Sequence, residues 1–120
     1  MDAPKIFESE YRFCEILWEN EPVKSGRLVE LAAEKLGWKP TTTYTVIKRL
    51  SQRGVLENRE STVRSLIDRD AVRRAEIDEL VEKKFGGSVP MFVASFAKNR
   101  KLSDSEADEL KRLIDEMRVK

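Results

Sequence analysis

Helix-ending residues divide the first half of this chain into short segments, and their spacing most constrains its fold. Pro22 and Gly37 each follow a stretch with apolar residues at helical intervals, and Gly54 follows a third. We therefore predict three short helices that pack together.

The apolar positions indicate which side of each helix faces inward. In the first helix, over residues 9–19 with Ser9 as its N-cap, the inward residues are Tyr11, Cys14, Leu17 and Trp18. In the second, with Ser25 as candidate cap, they are Leu28, Leu31, Ala32 and Leu36. In the third, about 40–53, they are Thr43, Val46, Ile47 and Leu50. We expect Cys14, Trp18 and Trp38 to be core residues.

Two β-branched segments follow the third helix. Val55–Arg59 and Thr62–Ile67 flank Glu60-Ser61 and predict a hairpin, although the turn has no glycine or asparagine. Three helices followed by a two-stranded ribbon are typical of a winged helix-turn-helix head, whose third helix enters the DNA major groove.

The charge distribution agrees with a DNA-binding head. The net charge of the chain is only +1, but residues 39–64 hold six basic and two acidic side chains. Threonine hydroxyls and methyls can contact base edges, and lysine and arginine can bind phosphate or guanine. The residues expected to bind DNA are Lys39, Thr41, Thr42, Tyr44, Thr45, Lys48, Arg49, Arg59 and Arg64. The alternative is a threonine capping cluster on an ordinary solvated face.

The second half of the chain has helical apolar stripes, interrupted at Gly86-Gly87, that a small head would leave uncovered. A capping box, Ser103-Asp104-Ser105-Glu106, opens the last helix. We expect these stripes to pack against a second copy of the chain, the alternative being that they fold back on their own head. The expected dimerisation residues are Leu80, Phe85, Val89, Phe92, Val93, Phe96, Leu110, Leu113 and Ile114.

The predicted fold class is therefore mostly α with a small β-hairpin. Residues 1–68 form the winged helix-turn-helix head, and residues 69–120 form a C-terminal helical dimerisation arm.

Composition excludes several function classes. With no histidine and only Cys14, which is expected in the core, the chain has no basis for a histidine- or cysteine-dependent active site. The carboxylate pairs Asp78/Glu79 and Asp108/Glu109 lie on helix exteriors, and Gly86-Gly87 alone does not make a phosphate-binding loop. We expect neither an enzyme nor a cofactor or metal site. No apolar run is long enough to span a membrane, and Met1–Lys5 lack the apolar stretch of a signal peptide. We expect a cytoplasmic protein.

Three parts of the sequence resemble the penicillinase-repressor family (BlaI/MecI/CopY). They are the first helix from Glu10-Tyr11 to Ile16-Leu17-Trp18, the run from Gly37 to Leu50 with Arg53-Gly54-Val55-Leu56, and Phe85-Gly86-Gly87-Ser88 with Val93-Ala94-Ser95-Phe96 and Lys101-Leu102-Ser103. The resemblance covers nearly the whole chain. It implies a homodimeric repressor that binds double-stranded DNA at a palindromic operator.

The resemblance also implies a way in which repression is relieved. In the β-lactam branch a membrane sensor protease signals, and the repressor is cut between asparagine and phenylalanine; the matching pair here is Ser95-Phe96. The phenylalanine is kept and the asparagine is not. In the copper branch a C-terminal cysteine cluster binds metal, and Met117–Lys120 contain no cysteine, which excludes that route.

A winged helix that binds another protein and never DNA is the other hypothesis. It would favour a neutral third helix, whereas this one carries Lys48 and Arg49, with Arg53 at its end.

Overall fold

The computed structural model describes residues 5–119; residues 1–4, where the sequence indicates no signal peptide, lie outside this range. The elements are α1 (Glu8–Asn20), β1 (Val23–Lys24), α2 (Ser25–Leu36), α3 (Pro40–Gln52), β2 (Leu56–Arg59), β3 (Thr62–Ser65), α4 (Arg69–Phe85), α5 (Val89–Ala97) and α6 (Asp104–Glu116). Two compact units result. The first, the head, ends at Glu79, and the second, the arm, begins at Leu80.

The division between the two units falls inside α4, later than the boundary at residue 68 expected from the sequence. Val72, in the first turn of α4, is buried and belongs to the core of the head. The carboxylate of Asp68 accepts a hydrogen bond from the Ala71 N–H at 2.7 Å and so caps this helix. The start of α4 is thus part of the head because its apolar side is covered there.

Two expected helix caps are wrong by one or two residues. Ser9 lies inside α1, because the Glu10 carboxylate reaches back to accept a hydrogen bond from the N–H of Phe7, the true N-cap, at 3.0 Å. Ser25 is the first residue of α2, and Lys24 is its N-cap. The Ser25 N–H donates instead to the carbonyl of Ser61 at 2.8 Å, so the turn between β2 and β3 fixes where α2 begins.

The sheet has three antiparallel strands in the order β1-β3-β2, where the sequence predicted only a two-stranded ribbon. The added strand, β1, pairs Val23 with Val63 and Lys24 with Thr62. The predicted hairpin is present with shorter strands, and Glu60 and Ser61 at its turn have φ of 50° and 63°. Positive φ at both central residues is what a tight two-residue hairpin turn requires.

The core of the head contains most of the residues predicted to face inward and two that the prediction missed. Cys14, Leu17, Leu28 and Leu50 are buried as predicted, and Phe13 and Ile16 of α1 are buried although they were not among the residues expected to face inward. Trp18 and Trp38 are half-buried and pack against this cluster, with the Trp38 ring stacked on Phe13 at 5.5 Å between centroids. The predicted core role of Cys14, Trp18 and Trp38 is therefore confirmed.

The arm begins in the second half of α4, which ends at Phe85 before Gly86 and Gly87, both at positive φ. The hydroxyl of Ser88 accepts a hydrogen bond from the Met91 N–H at 3.2 Å and caps α5. The predicted capping box of α6 is present: Ser103 and Glu106 each accept the other's backbone N–H at 3.1 Å. Among the helices of residues 5–119, none combines the length and apolarity that crossing a membrane requires.

Candidate nucleic-acid interface

Helix α3 has one buried side and one exposed side. Thr43, Val46, Ile47 and Leu50 are all buried in the head. Every residue of α3 or of the turn before it that was predicted to contact DNA is exposed: Lys39, Thr41, Thr42, Tyr44, Thr45, Lys48 and Arg49. The structure therefore brings these side chains together on one solvent-facing surface, the α3 face.

Internal hydrogen bonds decide what the threonines of the α3 face can offer a ligand. The Thr45 hydroxyl donates to the carbonyl of Thr41 at 2.9 Å, which uses its single proton. Its oxygen can still accept a hydrogen bond, and its methyl remains on the surface. Thr41, Thr42 and Thr45 line a shallow concavity with Arg49. This concavity combines apolar methyls with a cation, as recognition of a thymine beside a guanine or phosphate would need.

Arg53 does not belong to the α3 face, although it lies in the basic segment of the sequence. Its Nη2 is 2.6 Å from Oε2 of Glu10, and its Nη1 donates to the carbonyl of Lys5 at 3.1 Å. The Phe7 ring centroid is 5.7 Å from its guanidinium carbon. The charge of Arg53 is thus engaged inside the head, so Lys48 and Arg49 are the cations that α3 itself exposes.

Burial alone would raise the pKa of the Glu10 carboxyl. Its hydrogen bonds to Arg53 and to the Phe7 N–H, and the charges of Arg53 and Arg49, lower the pKa and together outweigh the effect of burial. The net result is a pKa below the ordinary value, so Glu10 is ionised and neutralises Arg53. Arg49 is close enough to act on Glu10 electrostatically while its side chain remains exposed.

The hairpin carries the two remaining predicted contact residues on its surface. Arg59 and Arg64 are both exposed, and Arg59 Nε lies 3.3 Å from the carboxylate of Glu57. Glu21 fixes the base of the hairpin, because its carboxylate accepts hydrogen bonds from the N–H and the hydroxyl of Ser65 at 2.8 Å. No local sequence signal pointed to Glu21, since its partner lies 44 residues away.

Comparison with known proteins decides the family. The model of the penicillinase repressor family matches residues 6–116. The chain belongs to the penicillinase repressor family. This membership confirms the resemblance drawn from the sequence, and it agrees with the prediction that the chain is not an enzyme.

Named relatives of this penicillinase repressor family member are distant in sequence but similar in length. It is 22% identical to the methicillin resistance regulatory protein MecI of Staphylococcus aureus (strain Mu50) over 114 residues, which cover 92% of this chain and 93% of the relative. It is 22% identical to the penicillinase repressor of Bacillus licheniformis over 117 residues, covering 94% and 91%.

One solved structure establishes the similarity of fold. The solution structure of the monomeric form of Bacillus licheniformis BlaI, in complex with the blaP half-operator, matches with a TM-score of 0.51 and 20% identity. The match covers 59% of this chain and 93% of that one. This likeness confirms the predicted fold class.

The arm of this penicillinase repressor family member exposes most of the apolar residues predicted to form a dimer. Phe85 and Phe92 are half-buried and contact each other edge to face at 5.5 Å, and Phe92 contacts Phe96 in the same way at 5.2 Å. The other predicted residues are more than two-fifths exposed: Leu80, Val89, Val93, Phe96, Leu110, Leu113 and Ile114. The arm by itself therefore leaves these side chains largely uncovered.

Ser95 and Phe96, the pair that matches the family's cleavage position, lie in α5 and are exposed. The Ser95 hydroxyl donates to the carbonyl of Phe92 at 2.6 Å. The peptide bond between Ser95 and Phe96 is therefore part of an α-helix.

The remaining ionisable groups give no sign of metal or thiol chemistry. In the range 5–119, no three histidine, cysteine, aspartate or glutamate residues are grouped so that they could hold a metal ion. Burial raises the pKa of the Cys14 thiol to about 12, and the nearby Glu10 charge adds to the effect. A thiol in this state is packed as an apolar side chain and is not a nucleophile.

Proposed function

We propose that this chain is a transcriptional repressor that binds a palindromic DNA operator as a homodimer. The observation that carries the proposal is the α3 face, where the predicted DNA-contacting side chains are exposed together while the opposite side of the helix is buried. An exposed helix with this chemistry suits the major groove, which admits one α-helix. The similar BlaI structure is that of a complex with a half-operator, which supports the same function.

Within the α3 face we assign two kinds of contact. The concavity lined by Thr41, Thr42, Thr45 and Arg49 would contact base edges, with threonine methyls on thymine and the guanidinium on guanine. Lys39 and Lys48 would bind phosphates, as would Arg59 and Arg64 on the hairpin. Tyr44, which is 48% exposed, would add a hydroxyl on a stiff side chain.

We assign the exposed apolar residues of the arm to the dimer interface. Residues 1–68 would bind DNA and residues 69–120 would dimerise, apart from the first turn of α4, which packs into the head. A two-fold dimer would present two heads to half-sites separated by one helical turn of DNA or a multiple, in steps of about 10 bp. Bound over a promoter, such a dimer would exclude RNA polymerase. A membrane sensor protease is the upstream signal that we propose, with Ser95-Phe96 as its target.

The experiment that tests the function is fluorescence anisotropy with the purified full chain and DNA from upstream of its own gene. A scrambled duplex of the same length is the control, and both are titrated across a salt series. We expect one dimer per site, preference for the upstream DNA, and an affinity that falls log-linearly with salt. Equal affinity for both duplexes would contradict sequence-specific repression at this site.

A variant of the α3 face separates base recognition from phosphate binding. If Arg49 contacts guanine, Arg49→Ala costs about 1–3 kcal/mol of operator affinity and relaxes specificity at that base. Arg12→Ala, which removes an exposed arginine of α1 paired with Glu8 at 3.6 Å, is the matched control. An Arg49→Ala protein with full affinity and full specificity would exclude Arg49 from the interface.

The other hypothesis is a winged helix that binds only protein. It predicts the opposite result in the same titration, namely no binding to DNA. A partner held by apolar contacts would give an affinity that salt barely changes, and neither duplex would bind at low salt. The exposed cations of the α3 face favour DNA over this alternative.

A further inference from the structure

Three strands of the head bring together a row of side chains that are far apart in the sequence. Lys24 on β1 is paired with Thr62 on β3, and Arg59 on β2 is paired with the same Thr62. Residues directly opposite one another on neighbouring strands share a face of the sheet. Lys24, Thr62 and Arg59 therefore form one continuous row, the sheet row.

The sheet row lies on the outer face of the sheet. Val23 and Val63, which neighbour Lys24 and Thr62 along their strands, are buried in the core. Successive side chains of a strand point to opposite faces, so the row must point away from the core. Lys24 and Arg59 are exposed, in agreement with this placement. Arg64, two residues after Thr62 on β3, lies on the same outer face and is also exposed.

The outer face carries a positive charge that the head does not neutralise. Among the strand residues of this face, Glu57, opposite Arg64 and 3.3 Å from Arg59, is the one carboxylate, against the three cations Lys24, Arg59 and Arg64. Glu60 lies in the adjoining turn. Neither Lys24 nor Arg64 belongs to any of the ion pairs found within residues 5–119. The Arg59 side chain is 83% exposed, so its pairing with Glu57 is weak and can be exchanged for a phosphate.

The position of Lys24 next to the hairpin turn is fixed by the backbone. The Ser25 N–H donates to the carbonyl of Ser61 at 2.8 Å, which ties the residue after Lys24 to the turn itself. The antiparallel pairing of Lys24 with Thr62 holds it from the other side. Lys24 is therefore part of the hairpin surface, although it lies 35 positions before Arg59 in the sequence.

We propose that the outer face of the sheet binds the DNA phosphodiester backbone, with Lys24 as a phosphate contact beside Arg59 and Arg64. Two strand spacings place the backbones of Lys24 and Arg59 about 10 Å apart, with the short Thr62 side chain between them. Long cationic side chains flanking a short one leave room for a strand of phosphates over Thr62. This assignment rests on the proposed DNA-binding function and adds β1 to the surface that performs it.

A phosphate contact carries no base information, and this property defines the test. In the salt titration of the full chain, Lys24→Ala should lower affinity equally for upstream and scrambled DNA. The slope of log affinity against log salt should become shallower by about 0.9 per protomer, the value for one phosphate on duplex DNA. Lys24→Arg, which keeps the charge, should retain the wild-type slope.

The matched control is Lys35→Ala. Lys35 is exposed in the last turn of α2, at the opposite end of that helix from Lys24, roughly 16 Å along its axis. Its removal changes the net charge by the same amount and should leave the slope at the wild-type value. Equal losses from Lys24→Ala and Lys35→Ala would attribute the effect to net charge and overturn the assignment.

The same titration distinguishes a wrong phosphate contact at Lys24 from a wrong DNA-binding function. If the wild-type protein prefers upstream DNA and Arg49→Ala weakens it, but Lys24→Ala keeps the full slope, only the sheet contact is wrong. A loss for Lys24→Ala confined to the upstream duplex would indicate base recognition and would also overturn the phosphate assignment. If the wild-type protein binds neither duplex, the proposed function itself fails.

Discussion

The guanidinium of Arg53, just beyond the end of α3, lies 2.6 Å from the carboxylate of Glu10 in the first turn of α1. The two residues are 43 positions apart, and their side chains are 28% and 4% exposed. The same arginine donates to the carbonyl of Lys5. One ion pair thus fixes the end of the proposed DNA-binding helix to the start of the head.

Breaking this pair should destabilise the head. Arg53→Ala leaves the Glu10 charge buried without its partner, and losing one member of a buried pair costs about 3–5 kcal/mol. Urea unfolding followed by circular dichroism measures the free energy of unfolding. Arg12→Ala is the control, because its pair with Glu8 is 65% and 86% exposed and should contribute less than about 1 kcal/mol. Equal, small losses for both variants would contradict a structural role for Arg53.

The pH dependence of the free energy of unfolding should show how much the ionised Glu10 carboxylate stabilises the head. Its pKa is below the ordinary 4.5 in the folded head, so the folded state favours the ionised form. This stabilisation is present above about pH 4.5 and is lost as pH falls through the lower, folded pKa. Glu10→Gln should therefore be less stable than wild type at neutral pH, and the difference should shrink in acid. Urea midpoints measured at a series of pH values test this; a difference that stays constant down to pH 2.5 would contradict it.

The hairpin turn is a place where substitutions should stabilise the protein. Glu60 and Ser61 have φ of 50° and 63°, a region that costs an ordinary L-residue about 1 kcal/mol or more and glycine almost nothing. Ser61→Gly, and Glu60→Asn with it, should raise the free energy of unfolding by about 0.5–1 kcal/mol per residue.

Thermal or urea unfolding reports the sign of this effect. Ser51→Gly, in the helical conformation of α3, is the matched control and should lower stability by about 0.5 kcal/mol. If Ser61→Gly also lowered stability, the turn would not have the strained conformation assigned to it.

Dimerisation should depend on the exposed apolar side of α6. Leu113 is 44% exposed, so glutamate is tolerated there by the single chain, but a charge in the proposed interface would lack a partner. Leu113→Glu should raise the dimer dissociation constant by at least about a hundredfold, or about 2.7 kcal/mol. Sedimentation equilibrium measures the constant, with circular dichroism to establish folding.

Lys111→Glu is the control for this variant, because Lys111 is exposed on the same helix two residues away, where side chains point to a different side. It should remain dimeric. A fully dimeric Leu113→Glu protein would exclude this side of α6 from the interface. Phe92→Asp, which places a charge between Phe85 and Phe96, tests the aromatic part of the same proposal.

The sequence by itself determined the features that depend on near neighbours. The helical repeat of Thr43, Val46, Ile47 and Leu50 predicted the buried side of α3, and all four are buried. The capping box at Ser103 predicted the start of α6. Such signals lie within one or two helical turns, so the interactions that they describe form wherever the rest of the chain is placed.

Only the tertiary structure decided the features that join distant residues. Val23–Lys24 form a strand because Val63 and Thr62 lie beside them, and a two-residue segment has no pattern of its own. Arg53 differs from Lys48 and Arg49 because it is paired with Glu10. Ser65 donates its N–H to Glu21, which lies 44 positions away. Charge in the sequence shows where cations are; packing decides which of them are engaged inside the head and which remain exposed for DNA.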